Sequence, residues 1–313
     1  MILGLHHVTA TVDDAQADLD FAAGALGLRL VKKTVNFDNH DVYHFYYGDE
    51  HGTPGTLWTT FPYKGKHVRP GVHGKGQITT TSFAVPPGSL DGWRARLNGR
   101  GLQVTEPPAR FAQRSLVVTD PSGLQMEVIE AAHDGRPWTG AGVGDSMAIR
   151  GLHSVTLTVA SAEPTIAFME RLLGFAVIDR DGTRTRVGVA GGGSGRMMEI
   201  VAAPGAPDAR NGLGTVHHVA MAVTDRTAQE QMRAKLAAAG ANVTPILDRQ
   251  YFTSIYFREP GGILFEIATV PPGFGVDEAV ADFGTGLKLP PWEESNRTVI
   301  QAGLARIVMP RPS

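Results

Sequence analysis

Two pairs of adjacent histidines carry the chemistry that the sequence most directly suggests. GLHHVTATV (Gly4–Val12) holds His6 and His7, and TVHHVAMAV (Thr215–Val223) holds His217 and His218. Imidazole near neutral pH can ligate a metal or transfer a proton. The 313-residue chain has no cysteine, which removes disulfides, thiolate ligands and a cysteine nucleophile together. Any metal must then be held by His, Asp or Glu. The carboxylate that could complete such a set is Glu266, in ILFEIAT (263–269). Two neutral imidazoles and one carboxylate on rigid strands suit Fe(II) and leave coordination positions open. Taken singly, a strand histidine is more often a surface or hydrogen-bonded core residue.

Strand alternation sorts which side chains can meet. In the later segment Val219, Met221 and Val223 share one face, that of a helix, so His218 points to the other. Val8, Ala10 and Val12 take the helix side of the first segment, leaving His7, Thr9 and Thr11 opposite. In ILFEIAT, Ile263, Phe265 and Ile267 turn toward the helices and Glu266 away. His7, His218 and Glu266 are thus expected on the concave side of a curved sheet. By the same parity His6 and His217 face the helices. A role for them needs an irregular pleat, or an effect through the neighbouring ligand.

The elements behind these segments repeat. GLHHVTATV matches GLHSVTLTV (Gly151–Val159) without a gap, and the same offset pairs Phe21 with Phe168. GQITTTSFAV (76–85) matches GTVHHVAMAV (214–223), and TDPSGLQMEVIE (119–130) matches REPGGILFEIAT (258–269). Four units therefore begin near residues 2, 76, 149 and 214. Each reads as an alternating strand, an amphipathic helix and short strands broken by turns such as Asp120–Gly123, a β-α-β-β-β order in the α+β class. In the fourth unit the helix AQEQMRAKLAAAG stops at Gly240. Residues 1–135 are expected as an N-terminal domain, 149–270 as a C-terminal one and 271–313 as a capping tail. Within the tail, a helix begins after Pro291.

Only units one and four carry a complete ligand set, so they are expected to pair around the metal, with units two and three paired without one. Ser154 stands where His7 does and Thr80 where His218 does, although Glu127 and Glu199 are present. The last strand of unit one, GTLWTTFPY (55–63), has no carboxylate, which leaves three protein ligands.

A formal net charge of -2 gives no basic excess for nucleic acid, and 42% hydrophobic with 19% charged residues describes a globular chain. No apolar run reaches membrane-spanning length, and the opening residues lack a secretory pattern, so a cytoplasmic location is expected. Exposed sheet edges in such folds are often covered by a partner subunit, which admits a homo-oligomer without fixing the oligomeric state.

At GLHHVT, VHHVA, DRQYFTSIYFREPGGILFEIAT and LPPWEESNR the chain resembles the vicinal oxygen chelate (glyoxalase, bleomycin resistance and dioxygenase) superfamily. Within it the likeness is to the hydroquinone-type ring-cleaving dioxygenases, and it covers essentially the whole chain. The resemblance implies the glyoxalase/dioxygenase fold: four βαβββ modules in two curved mixed-sheet half-barrels. It implies metal ligands at His7, His218 and Glu266, catalytic roles for Tyr256, Arg249, His217 and His6, and a substrate-binding role for Thr9. The commoner catechol enzymes take their first histidine from the third unit, where this chain has Ser154.

The expected function is an Fe(II)-dependent, extradiol-type dioxygenase opening a dihydroxylated aromatic ring with O2. Mn(II) stands second to Fe(II), and Zn(II) behind both. A glyoxalase-like metal-dependent isomerase or lyase is the alternative, and a metal-free small-molecule binding or resistance protein comes after it.

Overall fold

The structure, a computed structural model, describes residues 1–310. Unit one contributes β1 (Gly4–Val12), α1 (Ala15–Leu19), β2 (Arg29–Asn36), β3 (Asn39–Gly48) and β4 (Leu57–Pro62). Unit two contributes β5 (Gln77–Val85), α2 (Leu90–Gly99), β6 (Val104–Thr105), β7 (Ser115–Thr119) and β8 (Gln125–Glu130). Unit three has β9 (Gly151–Val159), α3 (Ala162–Phe168), β10 (Ala176–Asp181), β11 (Arg184–Gly188) and β12 (Met197–Ala202). Unit four has β13 (Thr215–Val223), α4 (Arg226–Ala238), β14 (Leu247–Asp248), β15 (Thr253–Arg258) and β16 (Leu264–Thr269).

These strands form two mixed sheets of eight. One runs β14-β15-β16-β13-β1-β4-β3-β2 and the other β10-β11-β12-β9-β5-β8-β7-β6. The centre of each is an antiparallel pair of unit-opening strands, β1 with β13 and β5 with β9. The first and last units therefore share a sheet, as do the second and third.

Alternation explains the side facing the helices. Val8, Ala10, Val12, Val219, Phe265 and Ile267 are all fully buried in one core cluster. At about 1.5–3 kcal/mol per buried Val, Ile or Phe, this face anchors the sheet. The concave face of β1 is also closed to solvent, since every residue of that strand is buried.

Helices are short where the units differ. α1 and α3 run into π-helical turns at Asp20–Ala25 and Met169–Leu173. α4 is regular: the Asp225 side chain accepts the Ala228 N–H at its start, and Gly240 at φ +85 releases the chain after its end. The tail departs from the single helix expected after Pro291. A 3-10 segment, Pro291–Asn296, comes first, and α5 (Arg297–Gly303) follows.

The tail also closes the first sheet. Phe274 and Phe283 pack with Val31, Tyr46, Tyr251 and Phe252, and buried Lys32 bonds Asp277 and Glu278, each at 2.7 Å. Among the described residues no helix is long and apolar enough to cross a membrane.

Candidate metal centre

The central strand pair of the first sheet brings the three expected ligands together. On β1, His7 lies opposite Ala220 of β13, and Ala220 in turn neighbours Glu266 of β16. Thr9 lies opposite His218. His7 Nε2 is 3.3 Å from His218 Nε2 and 3.3 Å from Glu266 Oε2, and His218 Nε2 is 2.8 Å from the same oxygen. All three side chains are buried. Among the described residues they form the one cluster with metal-binding geometry.

The pleat breaks where the histidine pairs sit, which corrects the expectation that His6 and His217 face the helices. Two residues of β1 between Leu5 and His7 match one step of β13, so His6 is the extra residue of a β-bulge. Between Val216 and His218 the reverse holds, and His217 is the extra residue. Each bulge turns the odd imidazole toward its neighbour. His6 Nδ1 is 2.9 Å from His7 Nδ1, and His217 Nδ1 is 2.8 Å from His218 Nδ1.

A contact between two Nδ1 atoms needs one proton. Burial and the adjoining imidazole push both His6 and His217 down to about 3, so each is neutral. If each ligand histidine donates its Nδ1–H to the neighbour, its Nε2 is left as a bare lone pair aimed at the centre.

Glu266 shows what the cluster lacks. One carboxylate oxygen accepts the Ser254 hydroxyl. The other has no donor in hydrogen-bonding geometry although two imidazole nitrogens adjoin it. Burial works to raise its pKa, but the two histidines outweigh this and hold it well below the usual carboxylate range. A buried anion facing two nitrogen lone pairs fits a divalent cation, which would offset a large desolvation cost.

A cavity of about 450 Å³ opens on this cluster, within the range of small-molecule sites. Phe37, Phe61, Phe252, Leu247 and Leu264 give it apolar walls, and His7, His218 and His217 reach it. Arg249 lies in the turn after β14 and not on a strand. Its Nε donates to the Tyr256 hydroxyl at 3.2 Å, and its Nη1 lies 3.2 Å from Asp38. Burial, with Glu266 adding to it, raises Tyr256 well above an ordinary phenol, so it is a neutral donor. The Tyr256 ring meets His218 edge-on, with centroids 5.6 Å apart.

Thr9 is fully buried behind the wall and bonds Thr59 Oγ1 at 2.7 Å; it does not open on the cavity. Thr59 in turn lies 3.1 Å from His44 Nε2, and His44 does line the cavity. Sequence reasoning passed over His44. Parity on β3 could have found it, because Phe45 and Tyr47 join the helix-side core and leave His44 and Tyr46 on the other face.

A model of the Glyoxalase/Bleomycin resistance protein/Dioxygenase superfamily matches residues 4–128 and 151–267. The chain belongs to that superfamily. It is 41% identical over 303 residues to Bacillus subtilis MhqO, named as a candidate ring-cleaving dioxygenase, across 96% of each chain. It is 38% identical to a Sphingobium indicum protein named chlorohydroquinone/hydroquinone 1,2-dioxygenase, covering 92% of this chain and 91% of that one. The crystal structure of a candidate dioxygenase from Bacillus subtilis superposes with a TM-score of 0.94 at 39% identity, covering 99% of both chains. Maize glyoxalase I, at 17% identity and a TM-score of 0.63 over 85% of this chain and 92% of that one, shares the fold.

The second sheet of this superfamily member treats the same framework differently. Glu127 sits beside Ser82, and Glu199 beside Thr156, in the register that places Glu266 beside Ala220. No histidine pair faces them. Arg110 instead bonds Glu127 with both terminal nitrogens and Glu199 with Nε at 2.8 Å, while Arg186 and Arg184 complete Glu199. His153, the bulged counterpart of His6, contacts Ser154 Oγ at 2.9 Å. A guanidinium occupies the place that a cation would take in the first sheet. In that sheet, the register position of Glu199 falls to Thr59, beside Thr9.

Proposed function

We propose that the protein is an Fe(II)-dependent ring-cleaving dioxygenase acting on a hydroquinone-type aromatic with O2. The observation that carries this reading is the three-ligand set. His7, His218 and Glu266 converge, while the fourth framework position holds Thr59, already engaged with Thr9 and His44. Three ligands leave neighbouring positions for a phenolate and for O2. The names of the Sphingobium and Bacillus relatives support the same reaction class. Mn(II) is the second ion this donor set accommodates, and Zn(II) is disfavoured because the chemistry needs a redox partner for O2.

Iron held by His7, His218 and Glu266 would acidify a hydroxyl bound to it and couple ring oxidation to O2. The remaining work falls to side chains. The Tyr256 oxygen accepts the Arg249 N–H and keeps its own hydrogen to give to an oxygen of the substrate. Arg249, pinned by Asp38, places a fixed positive charge beside it. With His218 donating its Nδ1–H across the 2.8 Å contact, as a metal ligand at Nε2 must, the neutral His217 would carry its own proton on Nε2 and offer the cavity a donor. Phe61, Phe252 and Leu264 supply apolar walls against which an aromatic ring would pack.

A glyoxalase-like isomerase on the same scaffold would use a fourth protein ligand, and Thr59 speaks against it. The test is oxygen-electrode assay of protein purified and loaded with Fe(II) anaerobically. Hydroquinone addition is expected to consume O2 in step with loss of ring absorbance. Turnover without O2 uptake, or activity with Zn(II) alone, would select the isomerase reading instead. Protein that binds no metal at all would point to a binding or resistance protein.

A further inference from the structure

Three histidines besides the ligands adjoin the centre, and two of them, His6 and His217, are tied to a ligand histidine through Nδ1. His44 differs. It stands on β3, buried, between the rings of Tyr46 and Phe61 at centroid distances of 4.0 and 4.3 Å. Its Nε2 contacts Thr59 Oγ1 at 3.1 Å, and Thr59 contacts Thr9 Oγ1 at 2.7 Å. No partner of Nδ1 occurs among the described residues, and the ring lines the cavity.

Thr59 can serve His44 in either direction. It accepts the Nε2–H while donating to Thr9, or donates to Nε2 while accepting from Thr9. The first arrangement leaves Nδ1 as an acceptor and the second as a donor. A hydroxyl satisfies both.

Position supports a contact remote from the metal. β4 lies between β1, which carries His7, and β3, which carries His44. The ring leans back over β4 to reach Thr59. The two oxygens of a para-dihydroxylated ring are separated by little more than one strand spacing, about 4.8 Å. Arg249 and Tyr256 approach the centre from the opposite flank, by way of β15 beside β16.

We propose that His44 Nδ1 bonds the second hydroxyl of the substrate, the one not directed to the metal, and so sets the preference for a hydroquinone over a monophenol. This rests on the dioxygenase reading above. The chain Thr9–Thr59–His44 stands where the other units have a carboxylate, so a vacated ligand position has become a substrate contact. Burial, with His7 and His218 adding to it, keeps the imidazole neutral, which is the state that offers one donor and one acceptor.

Equilibrium binding tests this without turnover. Fe(II)-loaded protein is titrated anaerobically with hydroquinone and with phenol by calorimetry, for the natural chain, His44→Phe and Thr59→Val. The natural chain should bind hydroquinone about three- to tenfold more tightly than phenol, the worth of one hydrogen bond. His44→Phe should bind both alike, with phenol affinity and metal content unchanged. Thr59→Val, which removes the strut without touching the cavity, should reduce the preference and reads the proposal if His44→Phe does not fold. A preference that survives both substitutions, or a natural chain that binds the two ligands equally, overturns the role of His44 and leaves the dioxygenase reading standing. Binding of neither ligand by the iron-loaded natural chain overturns both.

Discussion

Replacing Arg110 with methionine isolates what the guanidinium does in the second sheet. Arg110 is one-eighth exposed, whereas Glu127 and Glu199 are closed to solvent. The substitution removes two charge-assisted bonds to Glu127 and one to Glu199. Glu199 keeps Arg184 and Arg186, but Glu127 keeps only the hydroxyls of Ser82 and Ser115. An anion stranded in this way costs about 3–5 kcal/mol.

The pH dependence has a definite sign. Burial tends to raise Glu127, but Arg110 outweighs it and holds the folded pKa below 4.5. Its contribution is therefore present above 4.5 and is lost as pH falls through the folded value. Urea unfolding of Arg110→Met should show the largest loss where Glu127 is ionised in both proteins, and a difference from the natural chain that shrinks as pH falls from the burial-raised pKa of the stranded Glu127 toward the lowered one it has beside Arg110. Adding Glu127→Gln should restore about 2 kcal/mol or more, a coupling expected only of direct partners. A loss under about 1 kcal/mol, or a double variant no better than the single one, would refute the view that this guanidinium stands in for a cation.

Other outcomes follow from the same geometry. His6→Phe keeps the packing on Phe252 but removes the Nδ1 partner of His7, so metal affinity measured by chelator competition should weaken about 10–100-fold, with melting of the metal-free protein almost unchanged. Tyr256→Phe should lower kcat of the iron-loaded protein about 100-fold while metal content holds, and an unchanged kcat removes Tyr256 from the reaction. Asp18, which accepts the Tyr47 and Thr60 hydroxyls, is raised by burial to about 7 from 3.8, so native protein binds the extra proton between these values and loses stability as pH rises through them. Asp18→Asn should therefore gain on the natural chain from pH 5 to pH 8, by at most about 3 kcal/mol, and parallel melting curves would show that Asp18 is charged when folded.

The repeat and the two-residue period made the centre readable. Val219, Met221 and Val223 fixed one face of β13, and His218 had to occupy the other; the same logic placed His7 and Glu266. The bulges at His6 and His217 were illegible because a bulge is a mismatch with a partner strand some two hundred residues away, and neither strand alone records it. Arg110 was hidden for another reason. It enters from the irregular run before β7, where Phe111 and Ala112 adopt left-handed backbone, so no periodicity announces its direction. Thr59 was legible only as a missing carboxylate. His44 lacked a repeat partner that would have singled it out among the aromatic residues of its strand.

The order of the units along the chain bears on how the molecule is made. Strands β5 to β12 are contiguous in sequence and complete one sheet among themselves, whereas β1 must wait for β13 to leave the ribosome. During synthesis the arginine-filled half can therefore close first and give the opening strand a surface to rest against. The half with the His7, His218 and Glu266 cluster is finished last, so a nascent chain that stops short of Glu266 has no complete set of candidate metal ligands to expose.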